Sequence, residues 1–208
     1  MNVPPTGGYL NDMFLDFDDV ARGYNHAQYM GRVVAGGVMQ AFDKVQYVDV
    51  DSMKVMQRII QVPSNKCDPS ELPEAHRIHA LHLAGRDAEL PYEGMMLTTK
   101  VAEAARKVRL ENGPDSFDML LSGIRLGNMA FVGIPGEPFM GVGKALKETD
   151  GWDLVIPTCL TNGADGYFPM MDAYQEGGYE AGSSPFKAGV AEQIIREGQV
   201  LLAQLREA

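Results

Sequence analysis

The chain has 208 residues, of which 45% are hydrophobic and 22% charged, a balance typical of a soluble globular domain and unlike that of disordered or fibrous sequences. Eighteen Lys and Arg against 28 Asp and Glu give a net charge of −10, which repels phosphate backbones and excludes nucleic acid as an expected partner. No stretch approaches the roughly 20 apolar residues needed to span a bilayer, and the N-terminal MNVPPTGGYLNDMF has neither the basic nor the apolar region of a signal peptide, so the sequence as written reads as cytoplasmic.

Cys67 and Cys159 are the only cysteines and belong to no CxxC pattern, which supports buried thiols rather than a disulfide scaffold or zinc knuckle. No repeat or Gly/Ser linker interrupts the chain. Residues 1–208 are therefore read as a single unit.

An acidic run at Asp16, Asp18 and Asp19 marks a helix N-terminus near Asp18. From Val20 through Tyr24, Ala27, Met30, Val34 and Val38 to Ala41, apolar residues recur at three- and four-residue steps and predict a helix with one apolar stripe. Gly31, Gly36 and Gly37 weaken it, and close packing on a sheet is the expected compensation. Residues 53–62 read as a strand ended by Pro63. Pro69 and Ser70 open a helical pair over 71–88 and 92–110. Residues 117–126 and 129–134, joined by Gly127-Asn128, carry a hairpin signal. A helix from Pro138 to Thr149, a strand over 152–160, a Gly-rich loop and a short helix over 170–176 follow. A last helix is expected after Ser184-Pro185, with serine as cap and proline in the first turn. The alternation predicts an α/β fold, a layered mixed sheet with flanking helices, whose chemistry lies in loops at strand ends.

Two segments stand out. In AFVGIPGEPF an apolar strand runs into a Pro-Gly turn that delivers Glu137 just before Pro138. That carboxylate is either a cap for the following helix or a metal ligand or general base. In LTNGADGYFPMMDAYQEGGYEAGSSPF, Gly163, Gly166, Gly177 and Gly178 surround Tyr167, Tyr174 and Tyr179, as where backbone must lie close to a site. Each tyrosine reads either as buried with a satisfied hydroxyl or as an oxyanion donor or metal ligand. His76, His79 and His82 fan across about 120° of a helix and do not converge on a metal. GxSxG, P-loop, HExxH and GxGxxG patterns are all absent.

The run from IPGEPF through LTNGADGYFP to EGGYEAGSS, together with RGYNHAQYMGRVVAGGVMQAF and EGMMLTTKVAEAARKVRLENGP, resembles the C-terminal half of the catalytic domain in the neutral/alkaline non-lysosomal ceramidase family, especially its bacterial members. The resemblance implies an incomplete portion of a larger catalytic domain and a zinc-dependent hydrolase cleaving an N-acyl amide, ceramide or a simpler relative. It implies that Glu137 and Tyr167 are zinc ligands and that Tyr179 is the catalytic oxyanion donor. Two further histidine ligands would come from an upstream region outside this sequence. The family motif bearing a catalytic serine falls at Gly8-Tyr9-Leu10-Asn11-Asp12, with Asn11 in the serine's place, and an amide cannot be activated as that nucleophile. The expected partners are a small-molecule or lipid amide and either a second copy or the missing half. The alternatives are a degenerate ceramidase-like binding module without catalysis, or an N-terminally truncated fragment.

Overall fold

The computed structural model describes residues 24–207, and the Asp18 helix start and Asn11 lie outside them. The chain divides at Asp49 into two compact units.

The described part of the first unit is one helix, α1 (Tyr24–Phe42), followed by an extended segment. Among the described residues none of this helix is buried, and the positions a Cβ would take at Gly31, Gly36 and Gly37 have nothing within 4 Å.

The second unit is α/β. Its main sheet contains β1 (Met53–Pro63), β2 (Ser116–Leu126), β3 (Met129–Gly133) and β5 (Leu154–Thr158) in the order β1-β2-β3-β5. The first two pairings are antiparallel and the β3–β5 pairing is parallel, so the sheet is mixed. The hairpin turns at Gly127, which takes a φ of +56°, and Leu126 pairs with Met129. Positive φ at the first central position suits a II′ turn. Between β3 and β5 the chain passes through β4 (Glu137–Pro138) and α4 (Met140–Lys147), a crossover that parallel pairing requires.

One face of the sheet is covered by α7 (Val190–Glu207). Val190, Ala191, Ile194, Gly198, Leu201, Leu202 and Leu205 fall on one side of that helix and are buried, as a 3.6-residue period requires. They meet Ile60, Val62, Met119, Leu121, Ala130 and Val132 from the strands and Val142 and Leu146 from α4 in one core. On the opposite face of β1, Met53, Val55 and Ile59 are not covered by the rest of this unit and are 68%, 61% and 65% exposed. A smaller core holds the helical pair α2 (Leu72–Leu83) and α3 (Gly94–Leu110), with Ala75, Ile78, Leu90 and Ala104 buried between them.

Three expected boundaries are corrected. Pro138 does not open a helix. It continues a strand that pairs in parallel with β6 (Tyr167–Phe168), and helix α4 begins only at Met140; the residue before a proline favours extended backbone, which carries Glu137 into β4. The strand expected over 152–160 is confined to 154–158, because Leu160 and Asn162 take φ values of 51° and 62° and turn the chain. Ser184-Pro185 does not start the last helix. Ser184 is buried, Phe186 forms a bridge with Ser64, and α7 starts at Val190 after Gly189, whose φ is +100°. The short helix α5 (Met171–Glu176) forms as expected, and a further short helix, α6 (Tyr179–Ser183), follows it.

Lys107 ties the helical pair together by ion pairs to Glu71 at 2.5 Å and Glu103 at 2.7 Å. The hydrogen bond from Lys107 holds the Glu71 carboxyl below its ordinary range. Burial opposes the charge of Glu103, but the bonds from Lys107 and Lys100 outweigh it and lower that pKa too. Burial likewise opposes the charge of Lys107, and its two carboxylate partners raise it above the usual lysine value. The carboxylates therefore stabilise the fold above their ordinary pKa and cease to do so as pH falls through the lowered folded values. The lysine contributes below its ordinary pKa and is lost as pH rises through the raised one.

Two outcomes follow from this packing. Leu202→Ala should destabilise the fold by about 2–5 kcal/mol in urea titrations, whereas Val55→Ala should change it by less than about 0.5 kcal/mol; similar losses from both would contradict the one-sided core. Lys107→Met should lower stability at neutral pH and flatten its decline between about pH 5 and 3, measured as unfolding midpoints across that range. An unaltered pH dependence would show that the network is not linked to folding.

Candidate functional site

The site assembles where two loops at the C-terminal ends of β3 and β5 cross. Residues 134–136 present their carbonyls to the 160–165 loop: Thr161 N–H donates to Ile134 O at 2.9 Å, Asp165 N–H to Pro135 O at 2.8 Å, and Leu160 N–H to Gly136 O at 2.9 Å. Glu137 N–H in turn donates to Gly166 O at 2.9 Å, and Phe139 N–H to Phe168 O at 3.2 Å, so Pro138 needs no donor of its own. A Cβ at Gly136 would lie 2.5 Å from Gly166 O and 2.7 Å from the Phe168 ring. Only glycine permits this approach, and Gly166 itself takes a φ of +102°.

This crossing puts Glu137 opposite Tyr167 in the register of the two-stranded β4–β6 piece. Tyr179, at the start of α6, meets Tyr167 edge-on, with ring centroids 6.0 Å apart and planes at 75°. The three candidate residues Glu137, Tyr167 and Tyr179 are thus brought together, although thirty residues separate the first from the second. Glu137 is exposed and both tyrosines are half-buried. The reading of Glu137 as a helix cap is overturned, because Phe139 occupies the cap position of α4 and no side chain bonds to its free N–H groups.

Burial, reinforced by the negative charge of Glu137 and its neighbours Tyr179 and Glu180, pushes the Tyr167 phenol above the ordinary tyrosine value. The Tyr167 hydroxyl therefore stays protonated at neutral pH and is available as a donor. Tyrosinate would form there only against a compensating cation.

Buried polar groups hold Tyr167 in place. Ser184 Oγ donates to Tyr167 O at 2.9 Å, and Tyr174 donates its hydroxyl to Phe186 O at 2.7 Å beside Ser184 Oγ at 3.1 Å. Tyr174, half-buried like the other two, is accordingly the tyrosine whose hydroxyl is satisfied within the fold. Arg106 from α3 donates through Nε to Gly182 O at 2.9 Å and through Nη1 to Asn65 O. Asn65 Nδ2 closes the circuit onto Ser184 O at 3.1 Å. Ser184, Arg106 and Asn65 position the segment bearing Tyr167 and Tyr179. The local pattern gave no signal for Arg106 or Asn65, and the Ser-Pro pair read instead as a helix start.

The histidines of α2 lie apart from this cluster. His76 Nε2 is 2.8 Å from Glu111 and His82 Nδ1 is 2.9 Å from Asp87, while His79 lines a separate cleft. Among the described residues no group of three or more His, Cys, Asp or Glu could hold a metal ion. Glu137 and Tyr167 supply two oxygen donors, fewer than the three protein ligands usual for a catalytic zinc. The described residues do not by themselves make a zinc site. Among them, no helix is long and apolar enough to cross a membrane.

No protein-family model and no curated protein matches the sequence. Solved structures similar to the chain include a ceramidase complexed with C2, with 20% identity and a TM-score of 0.40 over 45% of this chain and 15% of that one. Another is the neutral ceramidase from Pseudomonas aeruginosa, with 14% identity and a TM-score of 0.45 over 75% of this chain and 29% of that one. The chain thus spans less than a third of either structure's length. Similarity of this degree bears on neither substrate nor site residues.

Gly136→Ala should force the crossing segments apart and destabilise the fold by about 1–3 kcal/mol, with altered near-ultraviolet tyrosine dichroism from the Tyr167–Tyr179 pair. Wild-type stability and spectrum in that variant would contradict the close approach.

Proposed function

We propose that this chain supplies one side of a ceramidase-like hydrolase site that cleaves an N-acyl amide, ceramide or a simpler relative. The single observation that supports this reading is the meeting of Glu137, Tyr167 and Tyr179 at the loop crossing. A phenolic O–H can donate to the oxygen of a tetrahedral intermediate, the role given to Tyr179. A solvent-facing carboxylate such as Glu137 can bind a cation or accept a proton from water. The site would be zinc-dependent, with Glu137 and Tyr167 as two oxygen ligands. The remaining donors, two histidines, would come from a segment or chain that completes the site.

Two-donor coordination predicts weak binding. The purified chain should retain far less than one zinc after desalting and hydrolyse a fluorogenic N-acyl amide slowly or not at all. Any preparation that does hydrolyse it should lose about 10²–10³-fold in rate with Tyr179→Phe and its chelator-sensitive activity with Glu137→Gln. Unchanged turnover in both variants would sink the assignment.

The incomplete donor set also favours a second reading, a ceramidase-like binding module without catalysis. Chelator-sensitive hydrolysis by the 208-residue chain alone would refute it. Saturable binding of a short N-acyl amide without turnover would support it.

A further inference from the structure

Helices α2, α3 and α6 border an open cleft of about 450 Å³ that contains none of Glu137, Tyr167 and Tyr179. Its volume lies in the range of small-molecule sites. Ala102, Ala105, Arg106 and Arg109 line it from α3, at steps of three, four and seven residues that place them along one helical stripe. His79 enters from α2 and Ser183 from α6.

The charge in this cleft is unbalanced. Arg106 is only 7% exposed, and both acceptors it engages, Gly182 O and Asn65 O, are neutral carbonyls. The carboxylates whose charge reaches it, Glu103 and Glu71, are both held by Lys107. Glu111, on the same side of the helical pair, is engaged by His76. Arg109 is exposed and forms no ion pair among the described residues, and His79 Nδ1 is buried without a hydrogen-bond partner. A guanidinium out of water whose bonded partners are all neutral is costly, and an anion seated in the cleft would relieve that cost. Nη2 of Arg106 makes no hydrogen bond among the described residues, and a guanidinium N–H pairs well with a carboxylate. Ala102, Ala105 and Val108 make the rest of the wall apolar, which favours an anion carrying a hydrocarbon portion over an inorganic one.

We propose that the cleft between α2, α3 and α6 binds a small amphipathic carboxylate, its head group on Arg106 and Arg109 and its hydrocarbon portion along Ala102, Ala105 and Val108. This site contains none of Glu137, Tyr167 and Tyr179 and needs no metal.

Calorimetric titration of the full chain with octanoate tests it, with octanamide, acetate and inorganic phosphate as comparison probes. Saturable octanoate binding is expected, weakened at least tenfold by Arg109→Glu, with weaker binding of the other three. The Arg109 side chain makes no hydrogen bond or ion pair among the described residues, so this variant should fold as the wild type. Ala105→Glu, which places a carboxylate on the apolar wall, gives a second disruption that spares both arginines. Equal binding of octanamide, or octanoate binding unchanged in both variants, would place the ligand on exposed apolar surface and overturn the proposal. Phosphate binding as tightly as octanoate would overturn its hydrocarbon component. No saturable octanoate binding would overturn it altogether.

Discussion

The crossing of the 134–137 turn with the 160–166 loop is the constraint on which the candidate site depends. Four backbone hydrogen bonds join segments from the ends of two parallel strands, and a single missing Cβ at Gly136 lets them close. Backbone groups buried by such an approach must find partners, and here each segment satisfies the other. Strand register sets Glu137 beside Tyr167, and the Tyr167 ring then meets Tyr179 edge-on. Because β3 and β5 anchor the two loops, the placement of Glu137 and Tyr167 follows from the sheet beneath.

A second layer of support comes from outside the sheet. Arg106 reaches from the helical pair to Gly182 O and Asn65 O, and Ser184 passes the constraint on to Tyr167. Two cores that share no buried residue, one under the sheet and one between α2 and α3, are thus joined by polar strapping. Hydrogen bonds from a charged donor are individually stronger than neutral ones. A small number of them can fix one core relative to the other without a continuous apolar contact.

Elements whose periodicity is local were legible in the sequence. The hairpin shows alternating apolar residues around Gly127, and the Asp68-Pro69-Ser70-Glu71 start of the helical pair is a capping box that forms as its residues dictate. The apolar spacing of α7 from Val190 onward was also readable, but its start was misplaced. Ser184-Pro185 carries the chemistry of a helix start, whereas burial of Ser184 against Tyr167 O recruits the same hydroxyl for a tertiary bond. Pro138 misled for a related reason, since its pairing partner Phe168 lies thirty residues away and no local pattern encodes a parallel bridge. The grouping of Glu137, Tyr167 and Tyr179 rests on that same distant pairing. Composition and spacing could nominate each residue and leave its role open, but the proximity required the fold. The apolar stripe of α1 shows the reverse case, a clear helical period in a helix none of whose described residues is buried.

The open face of the sheet has a thermodynamic consequence. Met53, Val55 and Ile59 on β1 already meet solvent in the native state, so unfolding adds little new surface there. Denaturant sensitivity and the heat-capacity increment both scale with the surface newly exposed. The α/β unit should therefore show a shallower denaturant slope and a smaller heat-capacity change than a unit of its size with both sheet faces covered. Its stability curve would be correspondingly flatter with temperature, and whatever came to cover that face would be detected first as a steepening of both quantities.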